Sequence, residues 1–321
     1  MMDAVAVGEL LIDFVPNGIS DNGNVLFERN PGGAPANVLA MLAKLGLHTA
    51  FIGKIGNDPF GRFLEETLQL SKINTSGLVF DNDVNTTLAF VHLQENGERS
   101  FSFYRKPGAD LMLTVEEINV QLIESARLFH FGSVSMTGEP ARSATLYAAK
   151  HAKQQGKLVS YDPNLRESLW SSLEEAKEIM LQGLVYTDIL KVSQEELQFL
   201  TGEADLGIAS GWIAETYGIE LIFVTQGSEG CYYRFHQQVG HVPAFQVNAV
   251  DTTGAGDAFF GSILYRILAA STETSLWTVA EIEAAIRFSN AAGALTTLKK
   301  GAIPALPILE NIVEKLSEVV L

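Results

Sequence analysis

The sequence has little cysteine and no surplus of positive charge, and both shortages exclude classes of protein. Its 321 residues contain one cysteine, Cys231, which excludes an intrachain disulfide framework and a cysteine-rich zinc site. Lys and Arg total 22 and Asp and Glu total 38, giving a formal charge of −16. This balance disfavours nucleic acid and anionic membrane surfaces as partners, because both require an excess of basic groups.

Long apolar runs and targeting signals are also missing. No apolar run reaches the length that a bilayer span requires, and residues 1–8 lack the basic region and cleavage motif of a signal peptide. The six histidines show no metal-site spacing such as H-x-x-x-H. These absences lead us to expect a soluble, cytoplasmic protein, and an apolar fraction of 47% is typical of an ordinary globular core.

Short apolar runs alternate with helical patterns through most of the chain. The runs predict buried strands at 5–7, 50–55, 128–131, 158–161, 189–192 and 221–225. The helical patterns lie at 36–45, 61–70, 141–155, 173–182 and 194–200. This alternation predicts an α/β fold with a mostly parallel central sheet and helices on both faces.

Two segments interrupt the alternation. Residues 14–31 are rich in Asn, Gly and Pro, and residues 86–105 predict a hairpin around Asn96-Gly97. The two insertions could pair into a small sheet that forms a lid over the carboxyl ends of the strands, or they could be surface ribbons without a role. With a lid, residues 1–13, 32–85 and 106–321 form the α/β core, and 14–31 and 86–105 form the lid.

The sharpest motif lies at 251–257, Asp-Thr-Thr-Gly-Ala-Gly-Asp, and an apolar helix follows it to about residue 270. Gly254 and Gly256 permit a tight turn whose N–H groups, with the helix dipole, would hold an anion. Asp257 is either an acid stabilised by the dipole or a general base beside a phosphate site. The segment alone leaves both interpretations open.

A second glycine cluster, at 30–37, leads into a helix. Gly32 and Gly33 would permit close approach of a ligand, and Asn37 offers both a donor and an acceptor to hydroxyl groups. Asp13 follows the first strand, where its carboxylate could accept two sugar hydroxyls. An ordinary loop, helix start and surface acid would produce the same pattern.

Two further segments end predicted strands. Residues 225–230 could approach a nucleotide or make a hairpin turn, and Arg166 could pair with phosphate or be a routine surface residue. Other phosphate motifs are missing: the sequence has no G-x-x-x-x-G-K-[ST]. Phe259 breaks the G-x-G-x-x-G pattern, so a nicotinamide oxidoreductase is not supported.

In their order along the chain these motifs resemble those of the ribokinase-like carbohydrate kinases, the PfkB family. The resemblance covers nearly the whole chain, and the motifs at 32–37 and 251–257 are highly specific in combination. Within the family the chain looks most like the fructokinases, through 103–105, 131–135, 160–166, 191–196 and 301–307. The resemblance implies a Rossmann-type three-layer sandwich with a small β-sheet lid, and ATP-dependent phosphorylation of D-fructose to fructose 6-phosphate.

The resemblance also assigns roles to individual residues. Asp257 matches the catalytic base, and the amides of Gly254, Ala255, Gly256 and Asp257 match the anion hole. The sugar and phosphate positions are matched by Asp13, Gly32, Gly33, Asn37, Arg105 and Arg166. The ATP positions are matched by Lys191, Ser193, Glu196, Thr225, Gly227, Gly230, Gly254, Gly256 and Asn290.

Metal ions and a partner chain are implied in the same way. Glu196 matches the acid of an N-x-x-E motif that organises Mg²⁺ through water, although Ser193 stands where the family has Asn. A potassium site is matched by Asp251, Thr253, Thr296, Lys299 and Gly301. A lid with exposed strand edges could also pair two copies into a homodimer.

Two alternatives to a fructokinase remain. A related kinase for 2-keto-3-deoxygluconate would use Arg105 and Arg166 for the carboxylate of that sugar acid. A catalytically silent binding protein is disfavoured, because Gly254, Gly256 and Asp257 are all intact.

Overall fold

Two β-sheets organise the protein in the computed structural model, which describes residues 1–93, 99–270 and 277–318. The strands are β1 (Met2–Val7), β2 (Leu11–Ile19), β3 (Val25–Gly32), β4 (Thr49–Gly56), β5 (Ile73–Asp81), β6 (Leu88–Leu93), β7 (Arg99–Tyr104), β8 (Ala126–Gly132), β9 (Leu158–Asp162), β10 (Ile189–Ser193), β11 (Leu221–Thr225), β12 (Gly230–Phe235) and β13 (Gln238–Pro243). The larger sheet has nine strands in the order β13-β12-β11-β10-β9-β8-β1-β4-β5. The run from β11 to β5 is parallel, and β12 and β13 pair in antiparallel fashion.

The helices lie on both faces of the larger sheet. They are α1 (Ala34–Lys44), α2 (Pro59–Leu70), α3 (Val120–Ser125), α4 (Ala141–Gln154), α5 (Leu173–Leu184), α6 (Gln194–Thr201), α7 (Leu206–Tyr217), α8 (Ala255–Ala269), α9 (Val279–Thr296) and α10 (Leu309–Ser317). Among these described helices, none has the length and apolar character that crossing a membrane requires.

The central strand β1 shows why the strands read as continuous apolar runs. Ala4 and Ala6 belong to one hydrophobic core, together with residues of α1 and α8. Val5 and Val7 belong to the other core, which includes residues of α4. Since successive side chains of a strand point to opposite faces, a sheet covered on both sides needs apolar residues at every position. The predicted α/β class and all six predicted strands are confirmed.

The smaller sheet joins the two segments that interrupt the alternation. Its order is β3-β2-β6-β7, with β2 parallel to β6 and the other neighbours antiparallel. Phe14 stacks on Phe90 with ring centroids 4.8 Å apart, and Phe27 and Tyr104 each contact Phe90 edge-on at 5.5 Å. The expected small sheet is therefore present, while the predicted Asn96-Gly97 turn lies outside the described residues. The division of the chain into core and lid stays a prediction.

The one cysteine of the sequence lies in strand β12. Cys231 is fully buried, and burial raises the pKa of its thiol far above the ordinary value. A buried thiol with a raised pKa is chemically inert in the folded protein.

Candidate active site

A cavity of about 390 Å³ lies where the carboxyl ends of the parallel strands meet the small sheet and the start of α8. Its wall combines segments that are far apart in the sequence: Glu9, Leu11, Asp13, Gly33, Ala34, Asn37, Phe103, Val134, Asn164, Arg166, Leu169, Lys191, Thr252, Thr253, Gly254, Gly256 and Asp257. This is the edge at which open α/β sheets bind their ligands. The candidate base Asp257 thus shares one cavity with four of the candidate sugar-binding residues, Asp13, Gly33, Asn37 and Arg166, whereas Gly32 and Arg105 do not line it.

Asp257 stands in the first turn of α8 and is 9% exposed. Its Oδ2 accepts a hydrogen bond from Asn37 Nδ2 at 2.7 Å. Burial raises the pKa of Asp257, while the Asn37 hydrogen bond and the charges of Lys191 and Arg166 act in the opposite direction. A carboxylate in a cavity wall with a raised pKa suits a proton acceptor better than an acid that only stabilises a helix end.

The glycines before Asp257 allow other groups to come close. Gly254 has φ +76°, and a Cβ there would lie 2.7 Å from the Ala302 Cβ. A Cβ at Gly256 would lie 3.2 Å from Lys191 Nζ. Helix α8 has no side-chain N-cap, although the Ala255 N–H already donates to the Thr252 carbonyl at 3.3 Å. An uncapped helix start beside an ammonium group is a favourable place for an anion.

Lys191 forms a buried ion pair with Asp162, a residue to which the sequence assigned no role. Lys191 Nζ lies 2.9 and 3.2 Å from the two carboxylate oxygens. Burial raises the pKa of Asp162 to about 7 even though Lys191 opposes this shift. Burial alone would lower the pKa of Lys191, but the surrounding carboxylates, Asp162 first, raise it. The pair therefore keeps a cation next to the start of α8.

Asp13, on β2, faces the same cavity from the small sheet. Burial raises its pKa to about 7; the Asp257 charge adds to the shift and the Arg166 charge opposes it. Arg166 lies on the cavity wall, with Nη1 donating to the Leu165 carbonyl at 3.1 Å.

Arg105, whose role near the sugar or phosphate stays a prediction, does not line this cavity. Its Nε and Nη2 donate to Asp110 Oδ2 at 2.8 and 2.6 Å, Nη1 donates to Thr137 Oγ1 at 2.6 Å, and Nη2 also reaches the Val134 carbonyl at 3.0 Å. Arg105 and Asp110 are 6% and 2% exposed. All three side-chain nitrogens thus have partners within the protein, the arrangement of a structural ion pair.

Glu196 and Ser193 form a capping box at the start of α6. The Ser193 hydroxyl accepts from the Glu196 N–H at 3.1 Å, and Glu196 Oε2 accepts from the Ser193 N–H at 2.8 Å. Glu196 Oε1 also accepts from the Leu165 N–H at 2.6 Å, which ties the turn before Arg166 to α6. Each oxygen keeps a further lone pair for a water molecule. The described residues contain no cluster of three His, Cys, Asp or Glu that could hold a metal by itself.

The remaining residues predicted for ATP lie outside this cavity. Thr225 ends β11, and Gly227 and Gly230 have positive φ. A Cβ at Gly230 would lie 2.2 Å from the Val242 carbonyl oxygen, so this glycine lets β12 and β13 approach. Asn290 donates to the carbonyls of Val242 and Pro243, both at 3.1 Å. Its amide thus holds α9 against β13.

One side chain joins two of the segments predicted for potassium, those of residues 251–253 and Gly301. Asp251 Oδ1 accepts from the Thr253 N–H at 2.8 Å and Oδ2 accepts from the Gly301 N–H at 3.0 Å. Thr296 donates its hydroxyl to the Ala292 carbonyl within α9, and Lys299 is exposed. The structure brings Asp251, Thr253 and Gly301 together.

Sequence reasoning missed Glu9, which lines the cavity and is 3% exposed. Its Oε1 accepts a hydrogen bond from the Ala34 N–H at 2.9 Å, and burial raises its pKa to about 7. Its position directly after the central strand β1 is the signal that could have identified it, because loops at that edge form ligand sites.

A buried acid at a glycine-rich helix start, in a cavity lined by hydroxyl-binding groups, can deprotonate an alcohol beside a phosphate. With this fold, the site defines a carbohydrate kinase of the ribokinase-like class. Residues 1–309 match the model of the pfkB family carbohydrate kinases, and the chain belongs to that family.

Similar proteins agree with this assignment over nearly the whole chain. Fructokinase-1 of Zea mays is 48% identical and Fructokinase-1 of Oryza sativa subsp. japonica 49% identical, each over 309 residues that cover 94% of both chains. The crystal structure of fructokinase with bound ATP from Xylella fastidiosa has a TM-score of 0.92 at 32% identity, and covers 100% of both chains. Fructokinase from Vibrio cholerae O395, in its form with fructose, ADP and calcium ion, has a TM-score of 0.88 at 37% identity, with 98% and 99% covered.

Proposed function

We propose that this chain transfers the terminal phosphate of ATP to the primary hydroxyl of D-fructose, giving fructose 6-phosphate. The observation that carries the proposal is the buried Asp257 carboxylate, hydrogen-bonded to Asn37 in the same cavity as Asp13 and Gly33. Relatives and solved structures named as fructokinases, 32–49% identical over most of the chain, support fructose as the sugar.

In this mechanism Asp257 accepts the proton of the sugar hydroxyl, and the oxygen attacks the γ-phosphorus in line as ADP leaves. Asn37 holds the Asp257 carboxylate in position. The uncapped start of α8, Lys191 and Arg166 offset the negative charge that develops on the transferred phosphate.

We also propose that two metal ions, Mg²⁺ and potassium, bind to residues near this cavity. Mg²⁺ usually binds through one or two carboxylates together with substrate phosphates. Glu196 would hold Mg²⁺ through water, and the positive charge of the ion would neutralise the phosphates. Asp251, Thr253, Thr296, Lys299 and Gly301 are proposed to hold potassium, since Asp251 joins two of these segments.

The ion pair between Arg105 and Asp110 favours fructose over a sugar acid as the substrate. A kinase for 2-keto-3-deoxygluconate would use two arginines for the substrate carboxylate, but Arg105 is paired with Asp110. Glu9, Asp13 and Asp257 surround the space that remains. Three carboxyl groups in one cavity disfavour a further carboxylate, because like charges destabilise each other.

The proposal is tested by comparing kcat/KM for D-fructose and 2-keto-3-deoxygluconate, with ATP and Mg²⁺, by a coupled assay for ADP. We expect fructose to be preferred by about 100-fold, since leaving a buried charge unpaired costs about 3 kcal/mol. A preference for the sugar acid would identify a different kinase of the family. Absence of ADP formation with either sugar would contradict the proposed function.

Gly33→Ala is expected to raise the KM for fructose at least tenfold and leave the KM for ATP nearly unchanged. Gly33 has φ +124°, and a Cβ there would lie 2.4 Å from the Glu9 carbonyl oxygen, so the backbone of the sugar-binding loop must move. Steady-state kinetics with each substrate varied measure the effect.

The matched control for this substitution is Gly46→Ala. Gly46 also has positive φ, at +96°, but a Cβ there would have nothing within 4 Å. It should cost about 1–2 kcal/mol of backbone strain and leave both KM values unchanged. Equal kinetic effects of the two substitutions would remove Gly33 from the sugar site.

The small sheet supports a further proposal, that two copies of the chain form a homodimer through it. Ile19, Val25, Leu26, Phe27 and Tyr104 are large apolar or aromatic residues with 40–70% of their surface exposed. Exposed apolar patches of this kind commonly mark interaction surfaces. The molar mass in solution tests this proposal.

A further inference from the structure

Glu9 is an acidic residue of the cavity wall that has no role in the mechanism above. It is 3% exposed and lines the same cavity as Asp13, Asn37 and Asp257. Its Oε1 is satisfied by the Ala34 N–H at 2.9 Å. Its Oε2 is buried and has no hydrogen-bond partner among the described residues.

An unpartnered buried carboxylate oxygen is costly and therefore uncommon in native proteins. A second residue of the cavity wall has such an acceptor, because Asn37 Oδ1 is also buried without a partner while Asn37 Nδ2 donates to Asp257. Unsatisfied acceptors on two residues of one cavity wall point to a ligand that brings several O–H donors. A polyol meets this requirement, whereas a ligand with acceptors alone does not.

We propose that Glu9 is a sugar-binding residue whose Oε2 accepts a hydrogen bond from a fructose hydroxyl other than the one that is phosphorylated. The inference rests on the proposed function. The two oxygens of the Glu9 carboxyl group then have different roles. Oε1 fixes the start of α1 next to Gly33, and Oε2 binds the sugar. Glu9 and Asn37 then contribute acceptors from the end of β1 and from α1.

A purely structural role is the competing explanation, since the bond from Ala34 already positions the Gly33 loop. Glu9→Gln separates the two roles. The amide oxygen of Gln can still accept from the Ala34 N–H, but its NH₂ group replaces the free acceptor with a donor. We expect the KM for fructose to rise about tenfold, the scale of one hydrogen bond to a charged group, with kcat and the KM for ATP within about twofold.

The decisive measurement uses fructose analogues that each lack one hydroxyl. Deoxyfructoses modified at carbon 1, 3 or 4, and 2,5-anhydromannitol, which lacks the anomeric hydroxyl, are compared by their dissociation constants. Wild-type protein should lose about tenfold in affinity for the analogue that lacks the Glu9 partner. Glu9→Gln should bind that one analogue no more weakly than it binds fructose, while the other analogues keep their wild-type penalties.

Glu117→Gln serves as the control, because Glu117 pairs with Lys54 away from the cavity. It should leave all fructose and analogue constants unchanged. If Glu9→Gln keeps the wild-type penalty for every analogue, the carboxylate has only a structural role and the inference is overturned. If the wild-type protein neither binds nor phosphorylates fructose, the proposed function fails together with it.

Discussion

Asp257→Asn is expected to lower kcat by about 10²–10⁴-fold, the contribution that a positioned base usually makes. Asn has the shape of Asp and its oxygen can still accept the hydrogen bond from Asn37, so the KM for fructose should stay within a few-fold. Burial opposes the charged form of Asp257, and the uncharged amide removes that cost. The variant should therefore fold at least as well as wild type. Single-turnover phosphate transfer and calorimetric fructose binding measure the two quantities separately.

Glu281→Gln is the control that separates a base from an acid of the helix dipole. Glu281 also lies in the first turn of a helix, α9, where it completes an exposed capping box with Thr278. Its replacement should cost about 1 kcal/mol or less of stability and leave kcat unchanged. If Asp257→Asn retains near-wild-type turnover, Asp257 is a helix-stabilising acid and the proposed mechanism is wrong.

Arg105→Met is expected to lower the free energy of unfolding by about 3–5 kcal/mol, because it leaves Asp110 buried without its cation. The folded fraction should keep a fructose KM close to wild type, since Arg105 does not line the cavity. Chemical denaturation and sugar kinetics on the same preparation measure both effects. A stable variant with a strongly raised fructose KM would instead restore Arg105 to the sugar site.

A second variant keeps this prediction testable if the first one folds poorly. Arg105→Met combined with Asp110→Leu removes both charges, and it should recover much of the lost stability, because a well-packed apolar pair can replace a buried ion pair. Lys315→Met is the surface control: it breaks the Lys315–Glu318 pair at 2.8 Å. Exposed pairs contribute about 0–1 kcal/mol.

The contrast between β1 and β5 explains how far the fold could be predicted. β1 is covered on both faces and reads as an apolar run, whereas β5 is the last strand of the sheet and mixes Asn, Thr, Ser and Gly with its apolar residues. The pair β12–β13 follows a glycine-rich turn that the sequence left open between a nucleotide loop and a hairpin. The two edge strands, β5 and β13, are less completely covered than β1, so their residues need not follow the continuous apolar pattern.

The residues of the candidate site also differ in how far the sequence could predict their roles. Asp257 and Asn37 stand in glycine-rich helix starts, which leave a local sequence signal, and the structure joins them by a hydrogen bond across 220 positions. The roles of Arg105 and Glu9 depend on which groups fold against them. The sequence around Arg105 does not indicate that Asp110 pairs with it. Nor does the sequence show that the Ala34 N–H occupies one oxygen of Glu9 and leaves the other without a partner.

The buried thiol of Cys231 makes the local opening of strand β12 measurable by thiol labelling. A thiol reagent reacts with the thiolate, and in the folded chain the raised pKa and the burial of Cys231 both suppress that reaction. The rate of labelling therefore follows the opening of β12 rather than the chemistry of the thiol. Since the sequence has no other cysteine, labelling of the chain reports the local opening at this one residue.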